Sequence, residues 1–158
     1  MSLDDSTRAT HRPIPPKPDF ADLVAAHGGG PAGAGEVRWQ RLIRVWQWTR
    51  ERHESLTPGR PYPGIVPLLE ACHADPRLGR LHPFTSHFTV CLSSRPHYPY
   101  VVRAAITPLP DGRFRVHRPG TSTAPSYRTT AEEAVALAAA QLADGLTPPA
   151  AGGADLDG

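Results

Sequence analysis

The sequence predicts an α+β domain in which two helices precede a three-stranded antiparallel meander and a C-terminal helix packs on one face of the sheet. Apolar residues recur at helical spacing between Glu36 and Ser55, and the period changes to two from Phe84 onward. A capping box then opens an alanine-rich segment at Ala131. Consecutive strands with short turns pair antiparallel, so the helices are expected to cover one face and leave the other open.

Composition divides the chain of 158 residues into three parts. Prolines cluster before Asp19, and Pro, Ala and Gly dominate after Thr147. We therefore expect a disordered or loosely docked arm over residues 1–35, a single domain over 36–146 and a disordered tail over 147–158. Within the arm, residues 20–24 predict a short docked helical turn, and the glycine-rich stretch 28–35 predicts a flexible linker.

Two helices are expected at the start of the domain. The first covers residues 36–55 and has an apolar stripe at i, i+3, i+4 and i+7, made by Trp39, Leu42, Ile43 and Trp46. The second covers residues 66–74, with Pro67 tolerated in its first turn. Its inward-facing residues are predicted to be Leu68, Leu69 and Cys72.

The predicted sheet has three strands. The first runs without interruption from Phe84 to Ser93, with apolar and polar residues in alternation, and the second lies within 98–108. Phe84 and Phe88 of the first strand and Val102 of the second are expected to be buried in the core. A hairpin turn at Asp111-Gly112 leads into the third strand, residues 113–118, and residues 122–128 are expected to form a loop. Thr129 or Thr130 caps the final helix together with Glu133, and this helix is expected to run to Leu142.

Charge, hydropathy and cysteine content restrict the classes of function. Seventeen basic and fifteen acidic residues give a formal net charge of +2, so a charge-driven nucleic-acid binder is not expected. No apolar run approaches the ~20 residues of a membrane span, and the N-terminus lacks the pattern of a signal peptide. Two cysteines do not make a disulfide framework, so a cytoplasmic location is predicted.

The polar faces of the predicted strands suggest a binding site. Thr85, His87, Thr89 and Cys91 alternate with apolar residues on the first strand, Arg103 lies on the second, and Arg113, Arg115 and His117 lie on the third. If the registers agree, these side chains share one face and could hold a carboxylate or phosphate. A plain solvated sheet face explains the same pattern, and this alternative stays open. The following loop adds Arg95, His97, Tyr98 and Tyr100.

Within this hypothesis, the chemistry of each side chain suggests its role. The predicted catalytic residues are His87 as acid or base, Tyr98 as a proton donor and Cys91 as a nucleophile, although a buried structural thiol explains Cys91 as well. The predicted substrate-binding residues are Arg95, Tyr100, Arg103, Arg115 and His117. Eight histidines are present, but none has the close spacing of a zinc site, so neither a metal nor a cofactor is expected.

Several segments after Pro76 resemble one family in their order and spacing. They are "PRLGRL" (76–81), "SHFTVCLSSRPHYP" (86–99), "DGRFRV" (111–116) and "TAEEAVALAAAQL" (130–142). They are similar to an actinobacterial family of domains of unknown function whose members are labelled natural product biosynthesis proteins. The family label supplies no reaction, and the loop "SSRPHYPY" departs from its pattern. "DGRFRVHRPG" and the final helix are also similar to HicB-like antitoxins, which lack the two preceding helices.

Two main hypotheses follow. The resemblance implies a secondary-metabolite pathway, and the first hypothesis is a small, cofactor-independent protein of such a pathway. It would bind a small-molecule or carrier-linked anionic intermediate, and the residues leave open whether it also catalyses a cyclisation, isomerisation or dehydration. The alternative is a non-catalytic protein-binding or immunity/antitoxin-like module, acting on a protein partner or as a homodimer. A nucleic-acid-linked regulator is a third hypothesis, and no membrane association is expected.

Overall fold

The structure is a computed structural model that describes residues 13–146. It contains four α-helices, which we label α1 (Ala21–His27), α2 (Gly30–Leu56), α3 (Ile65–Ala74) and α4 (Ala131–Leu146), and a 3-10 turn at Leu78–Arg80. The predicted α+β class is confirmed. The predicted tail and the first part of the predicted arm lie outside the described residues.

Five strands form one antiparallel sheet, rather than the three that were predicted. They are β1 (His82–Ser86), β2 (Thr89–Ser93), β3 (Val102–Pro108), β4 (Phe114–His117) and β5 (Ser126–Arg128). Their spatial order, β1-β2-β3-β4-β5, is the chain order, so the sheet is a meander. The three-residue β5 lies in a segment that was expected to be a loop, because a strand this short leaves little periodicity to detect.

The prediction of one continuous strand over residues 84–93 is wrong. The chain turns back at His87 and Phe88, and β1 pairs with β2 so that Phe84 lies opposite Cys91. His87 takes a positive φ of 55°, as the first residue of a tight hairpin turn often does. This turn contains no Gly, Asn or Pro, so the usual sequence indication of a hairpin is missing.

The helices cover one face of the sheet. Helix α4 packs on β3, β4 and β5, while α3 packs between α2 and α4, and α2 contacts β1. From the sheet, the core takes Val90, Leu92, Ala104, Ile106 and Val116, and from α3 it takes Ile65, Val66, Leu68, Leu69 and Cys72. Contrary to expectation, Phe84, Phe88 and Val102 are only half-buried.

Helix α2 begins earlier than the sequence predicted. Residues 30–35, expected to be a linker, form its first turns, and Pro31 occupies an early position where its missing N–H costs nothing. Helix α1 lies against α2, and a Cβ at Gly33 would collide with the carbonyl oxygen of His27. Gly33 therefore permits the close approach of the two helices.

Residues 13–20, the part of the arm ahead of α1 that the structure describes, lie along α2. The indole of Trp48 donates to the carbonyl of Pro15 at 2.9 Å, and the hydroxyl of Ser55 donates to that of Pro13 at 3.1 Å. Arg44 pairs with Asp22 of α1 at 2.8 Å. These contacts attach residues 13–27 to the helix. Within residues 13–146, no helix has the length and apolar character to cross a bilayer.

The capping box of the last helix is confirmed. The hydroxyl of Thr130 accepts a hydrogen bond from the backbone N–H of Glu133 at 3.0 Å. The Glu133 carboxylate in turn accepts from the backbone N–H and the hydroxyl of Thr129. These bonds satisfy donors that the start of a helix leaves without partners.

Candidate anion-binding site

The face of the sheet that the helices leave open is built from two rows of paired residues. Residues opposite one another in an antiparallel ladder share a face. The first row contains Phe84, Cys91, Ala105 and His117, and the second contains Thr107, Arg115 and Tyr127. Their neighbours Val90, Ile106 and Val116 point into the core. The alternation of β2, β3 and β4 therefore places a thiol, two small side chains and two basic groups on the open face.

A pocket of about 330 Å³ lies over the centre of this face. Its lining consists of Thr89, Ala105, Thr107, Arg115, His117 and Pro125. We call it the sheet-face pocket. Small residues on β3 leave space between larger neighbours, which is why a depression forms on a sheet surface. The hydroxyls of Thr89 and Thr107 hydrogen-bond to each other at 2.8 Å and still have capacity for a ligand.

The two basic residues of the pocket come from one strand. Arg115 is half-buried and His117 is exposed, and both lie on the open face of β4. Side chains two positions apart on a strand are separated by about 6.6 Å along it. Both can therefore contact one carboxylate or phosphate.

No acidic side chain of residues 13–146 lines the sheet-face pocket. The five strands contain no Asp or Glu, and no ion pair involving Arg115 occurs among residues 13–146. By contrast, Arg113, which directly precedes β4, forms an ion pair with Asp111 at 2.8 Å and lies over the ring of Tyr127. Of these two arginines, Arg115 is therefore the one that faces the pocket and has no carboxylate partner among the described residues.

Aromatic rings stand at the other end of the first row. Phe84 stacks on Tyr100 with a centroid distance of 4.4 Å, and Tyr98 meets Tyr100 edge-on at 6.3 Å. Strands are spaced ~4.8 Å apart, so the aromatic group on β1 and the basic group on β4 are separated by roughly 14 Å. Cys91 and Ala105 lie between them.

A scan against protein-family models matches residues 36–153 to DUF6193, described as a family of unknown function. The chain belongs to this family. The match covers about three quarters of the chain and contains every residue of the sheet-face pocket. No curated protein and no solved structure matches the chain.

The structure places the predicted site residues of this DUF6193 chain in several environments. Arg115 and His117 line the sheet-face pocket. His87 lies in the β1–β2 turn and is exposed, because the predicted strand is a hairpin. Arg103 lies at a bulge: Ala104 pairs with Leu92 and Val102 with Ser93, so no residue of β2 faces Arg103. The expected convergence of His87, Arg103 and Arg115 on one cavity is therefore wrong, since only Arg115 lines it.

Cys91 lies on the open face but is buried under its neighbours, with 8% of its surface exposed. Burial raises the pKa of this thiol. A raised pKa keeps the thiol protonated near neutral pH and opposes a nucleophilic role. Cys91 therefore contributes a small apolar surface to the floor between Phe84 and Ala105.

The loop residues form a separate cluster. The buried hydroxyl of Ser93 accepts hydrogen bonds from the backbone N–H groups of Arg95 and Val101, both at 3.0 Å, and so closes the loop. Tyr98 is 84% exposed and Arg95 is also exposed. Tyr100 stands against Phe84 at the edge of the open face. None of the three lines the sheet-face pocket.

Sequence analysis did not single out Thr107 and Pro125. Thr107 faces the pocket because it is two residues beyond Ala105 on β3, and that alternation is readable once the register is known. Pro125 precedes β5, which was expected to be part of a loop, so nothing in the sequence placed it over the sheet.

Proposed function

We propose that this chain binds a small anionic molecule in the sheet-face pocket, as a cofactor-independent protein of a biosynthetic pathway for small molecules. The observation that carries the proposal is the presence of Arg115 and His117 on one side of the pocket, with no acidic residue of the described chain in its lining. The resemblance to natural product biosynthesis proteins supports the pathway.

The charge of the pocket supports an anionic ligand. A half-buried guanidinium has lost part of its hydration, and a carboxylate or phosphate replaces it with charge-assisted hydrogen bonds. The five strands contain no acid that could do this. Among residues 13–146 no carboxylate pairs with Arg115, so a bound anion would supply the compensating negative charge.

The size and lining of the pocket indicate a compact ligand. A volume of about 330 Å³ lies at the lower end of the range for small-molecule sites. The hydroxyls of Thr89 and Thr107 would orient polar atoms of the ligand, and the methyl of Ala105 would contact its apolar part. A longer molecule, such as one attached to a carrier, would extend across Cys91 toward the Phe84–Tyr100 pair.

We further propose that any reaction at this site is a proton transfer, such as a cyclisation, isomerisation or dehydration. His117 is then the acid–base residue, because its imidazole is the side chain of the described lining that can both accept and give up a proton in such a reaction. Arg115 would bind the anionic group and hold the ligand beside it. His87, first predicted for this role, is assigned instead to the hairpin turn.

The test is a titration followed by ¹⁵N and ¹³C NMR, with inorganic phosphate, acetate and benzoate as probes. We expect shift changes at Ala105, Thr107, Arg115 and His117. Benzoate should also perturb Cys91 if a ring extends over the floor. Arg115→Gln should abolish these changes, whereas Arg118→Gln, a control one position beyond His117, should retain them.

Two results would contradict the proposal. Equal shift changes in the Arg115→Gln and Arg118→Gln variants would mean that the probes bind nonspecifically. Probe-induced changes confined to other surfaces would mean that the open face is only a solvated sheet. If the probes bind as expected, native mass spectrometry of the chain after incubation with a metabolite extract identifies the class of the ligand.

A further inference from the structure

A second concave surface lies on the opposite flank of β1, away from the sheet-face pocket. It is a groove of about 590 Å³ between α2 and the outer edge of β1. Apolar side chains of α2 form one wall, namely Val37, Leu42 and Val45, and residues 83–85 of β1 form the other. We call it the α2–β1 groove. It is larger than the sheet-face pocket and shares none of its lining residues.

The strand wall of this groove is an unpaired sheet edge. β1 is the first strand of the sheet and pairs only with β2 among the described residues. In a hairpin with a two-residue turn, the pair that closes the turn, Ser86 and Thr89, is hydrogen-bonded. Alternation then directs the N–H and C=O of Thr85 and the C=O of Pro83 outward, and within residues 13–146 none of them has a backbone partner.

Pro83 and Thr85 restrict the register in which another strand can pair with this edge. Pro83 has no N–H, so the outward edge presents a donor only at Thr85. The Thr85 side chain points to the helix layer, where its hydroxyl lies 3.4 Å from the indole nitrogen of Trp46. The backbone of Thr85 is therefore fixed while its outward N–H stays available.

The groove is also positively charged. Arg38 and Arg41 of α2 line it, and no acidic residue does so among the described residues. Arg38 donates to the carbonyl of Pro96 at 2.9 Å, and Arg41 lies over the ring of Phe20, so neither has a carboxylate partner in residues 13–146. Burial, together with the charges of Arg38 and His97, lowers the pKa of His82 at the start of the same strand.

We propose that the α2–β1 groove binds an extended, acidic segment of a partner protein, which adds to the outer edge of β1 as a sixth strand. Backbone hydrogen bonds to Thr85 and Pro83 provide the strand pairing. Alternate apolar side chains of the segment contact Val37 and Val45, and its acidic side chains pair with Arg38 and Arg41. This mode of recognition uses an exposed strand edge beside a helix and reads the chemistry of alternate side chains.

The experiment uses the full chain, with a displayed library of random peptides of about nine residues as the probe. Selection should enrich sequences that alternate acidic with β-branched residues. Thr85→Pro removes the outward N–H without touching the β1–β2 hydrogen bonds, and Thr85→Val removes only the hydroxyl. Affinity for an enriched peptide should fall about tenfold in Thr85→Pro, which corresponds to one lost backbone hydrogen bond. In Thr85→Val it should remain within about twofold of the parent value.

A second pair of variants tests the charge and does not depend on whether Thr85→Pro folds. Arg41 and Arg52 are both exposed residues of α2 that lie over an aromatic ring, but only Arg41 lines the groove. Arg41→Glu should weaken binding of the enriched peptide roughly tenfold, and Arg52→Glu should leave it unchanged. Arg115→Gln should also have no effect, because the sheet-face pocket is separate.

Several outcomes would overturn the proposal. Absence of an enriched acidic peptide, or equal affinity in the two Thr85 variants and in the two arginine variants, excludes strand addition at this edge. A dimer in sedimentation that Thr85→Pro dissociates identifies a second copy of the chain as the occupant. Peptide binding that requires deletion of residues 147–158 identifies the acidic C-terminal segment of this chain as the occupant.

Discussion

Phe84 of β1 and Tyr100 of the 94–101 loop stack with their ring planes 22° from parallel. This contact joins the loop to the edge strand of the sheet and forms the aromatic end of the open face. Aromatic pairs of this kind contribute about 0.5–1.5 kcal/mol beyond their buried area. The loop is therefore held by a side-chain contact in addition to the hydrogen bonds of Ser93.

We expect Tyr100→Ala to lower the free energy of unfolding by about 1 kcal/mol, because it removes this stacking. Tyr98→Ala is the matched control. Its ring is 84% exposed, so its loss should change stability by less than about 0.5 kcal/mol. Urea denaturation followed by circular dichroism measures both. Equal effects of the two substitutions would mean that the stacking contributes nothing.

His87→Gly should stabilise the protein. His87 has a positive φ of 55°, a conformation that glycine adopts without a steric penalty. Relief of the backbone strain should add roughly 0.5–1 kcal/mol. Thermal unfolding of His87→Gly and His87→Ala measures the difference, which should favour glycine. If alanine stabilises as much as glycine, the imidazole rather than the backbone is unfavourable at this turn.

Stability should fall at alkaline pH because of Cys72. Burial raises the pKa of this thiol to about 12 in the folded protein, from an ordinary value of 9.0. As the pH rises, the unfolded chain therefore loses the thiol proton before the folded protein does. The stabilisation that the protonated Cys72 thiol gives the folded protein is complete below pH 9 and is lost as the pH rises toward 12. Between these two values, the free energy of unfolding is expected to fall by about 1.4 kcal/mol per pH unit.

The measurement for Cys72 is urea denaturation at intervals between pH 8 and pH 10.5. Cys72→Ala lacks the titrating group, so its unfolding free energy should fall less steeply with pH than that of the parent chain, whatever its absolute stability. Parallel slopes for the two proteins would show that the thiol does not ionise differently in the folded and unfolded states.

Removal of residues 1–18 should expose one side of α2. The deletion removes the acceptors of the Trp48 and Ser55 hydrogen bonds, each worth about 1 kcal/mol. We expect a loss of about 2 kcal/mol and a red shift of tryptophan emission as water reaches the indole of Trp48. An unchanged spectrum and melting temperature would show that the arm contributes nothing to the fold.

The sequence predicted the helices better than the sheet. The spacing of Trp39, Ile43 and Trp46 and the Thr130–Glu133 capping box are local patterns, so α2 and α4 were found with errors only at their ends. The β1–β2 turn was missed because Ser86, His87 and Phe88 continue an alternating pattern. A register that pairs Phe84 with Cys91 then placed Phe84 on the opposite face from the one predicted.

The candidate site was predicted in part for the same reason. Arg115 and His117 lie on one strand after a clear Asp111-Gly112 turn, so their common face followed from a period of two. The position of the Arg103 side chain depends on a bulge opposite Leu92 and Ser93, and only the pairing of β2 with β3 reveals this bulge. The α2–β1 groove depends on how a helix packs beside an edge strand, and no pattern within either segment contains that information.

The meander has a consequence for how this protein folds. Each of the strands β2 to β5 pairs with the strand that directly precedes it in the chain, so each ladder closes a short loop and loses little chain entropy. Low sequence separation between contacting residues favours rapid folding. The long-range step is the docking of α2, whose Trp39 indole donates to the carbonyl of Gly79, forty residues away in the chain. We therefore expect the order of events to be local strand pairing followed by closure of the helical layer.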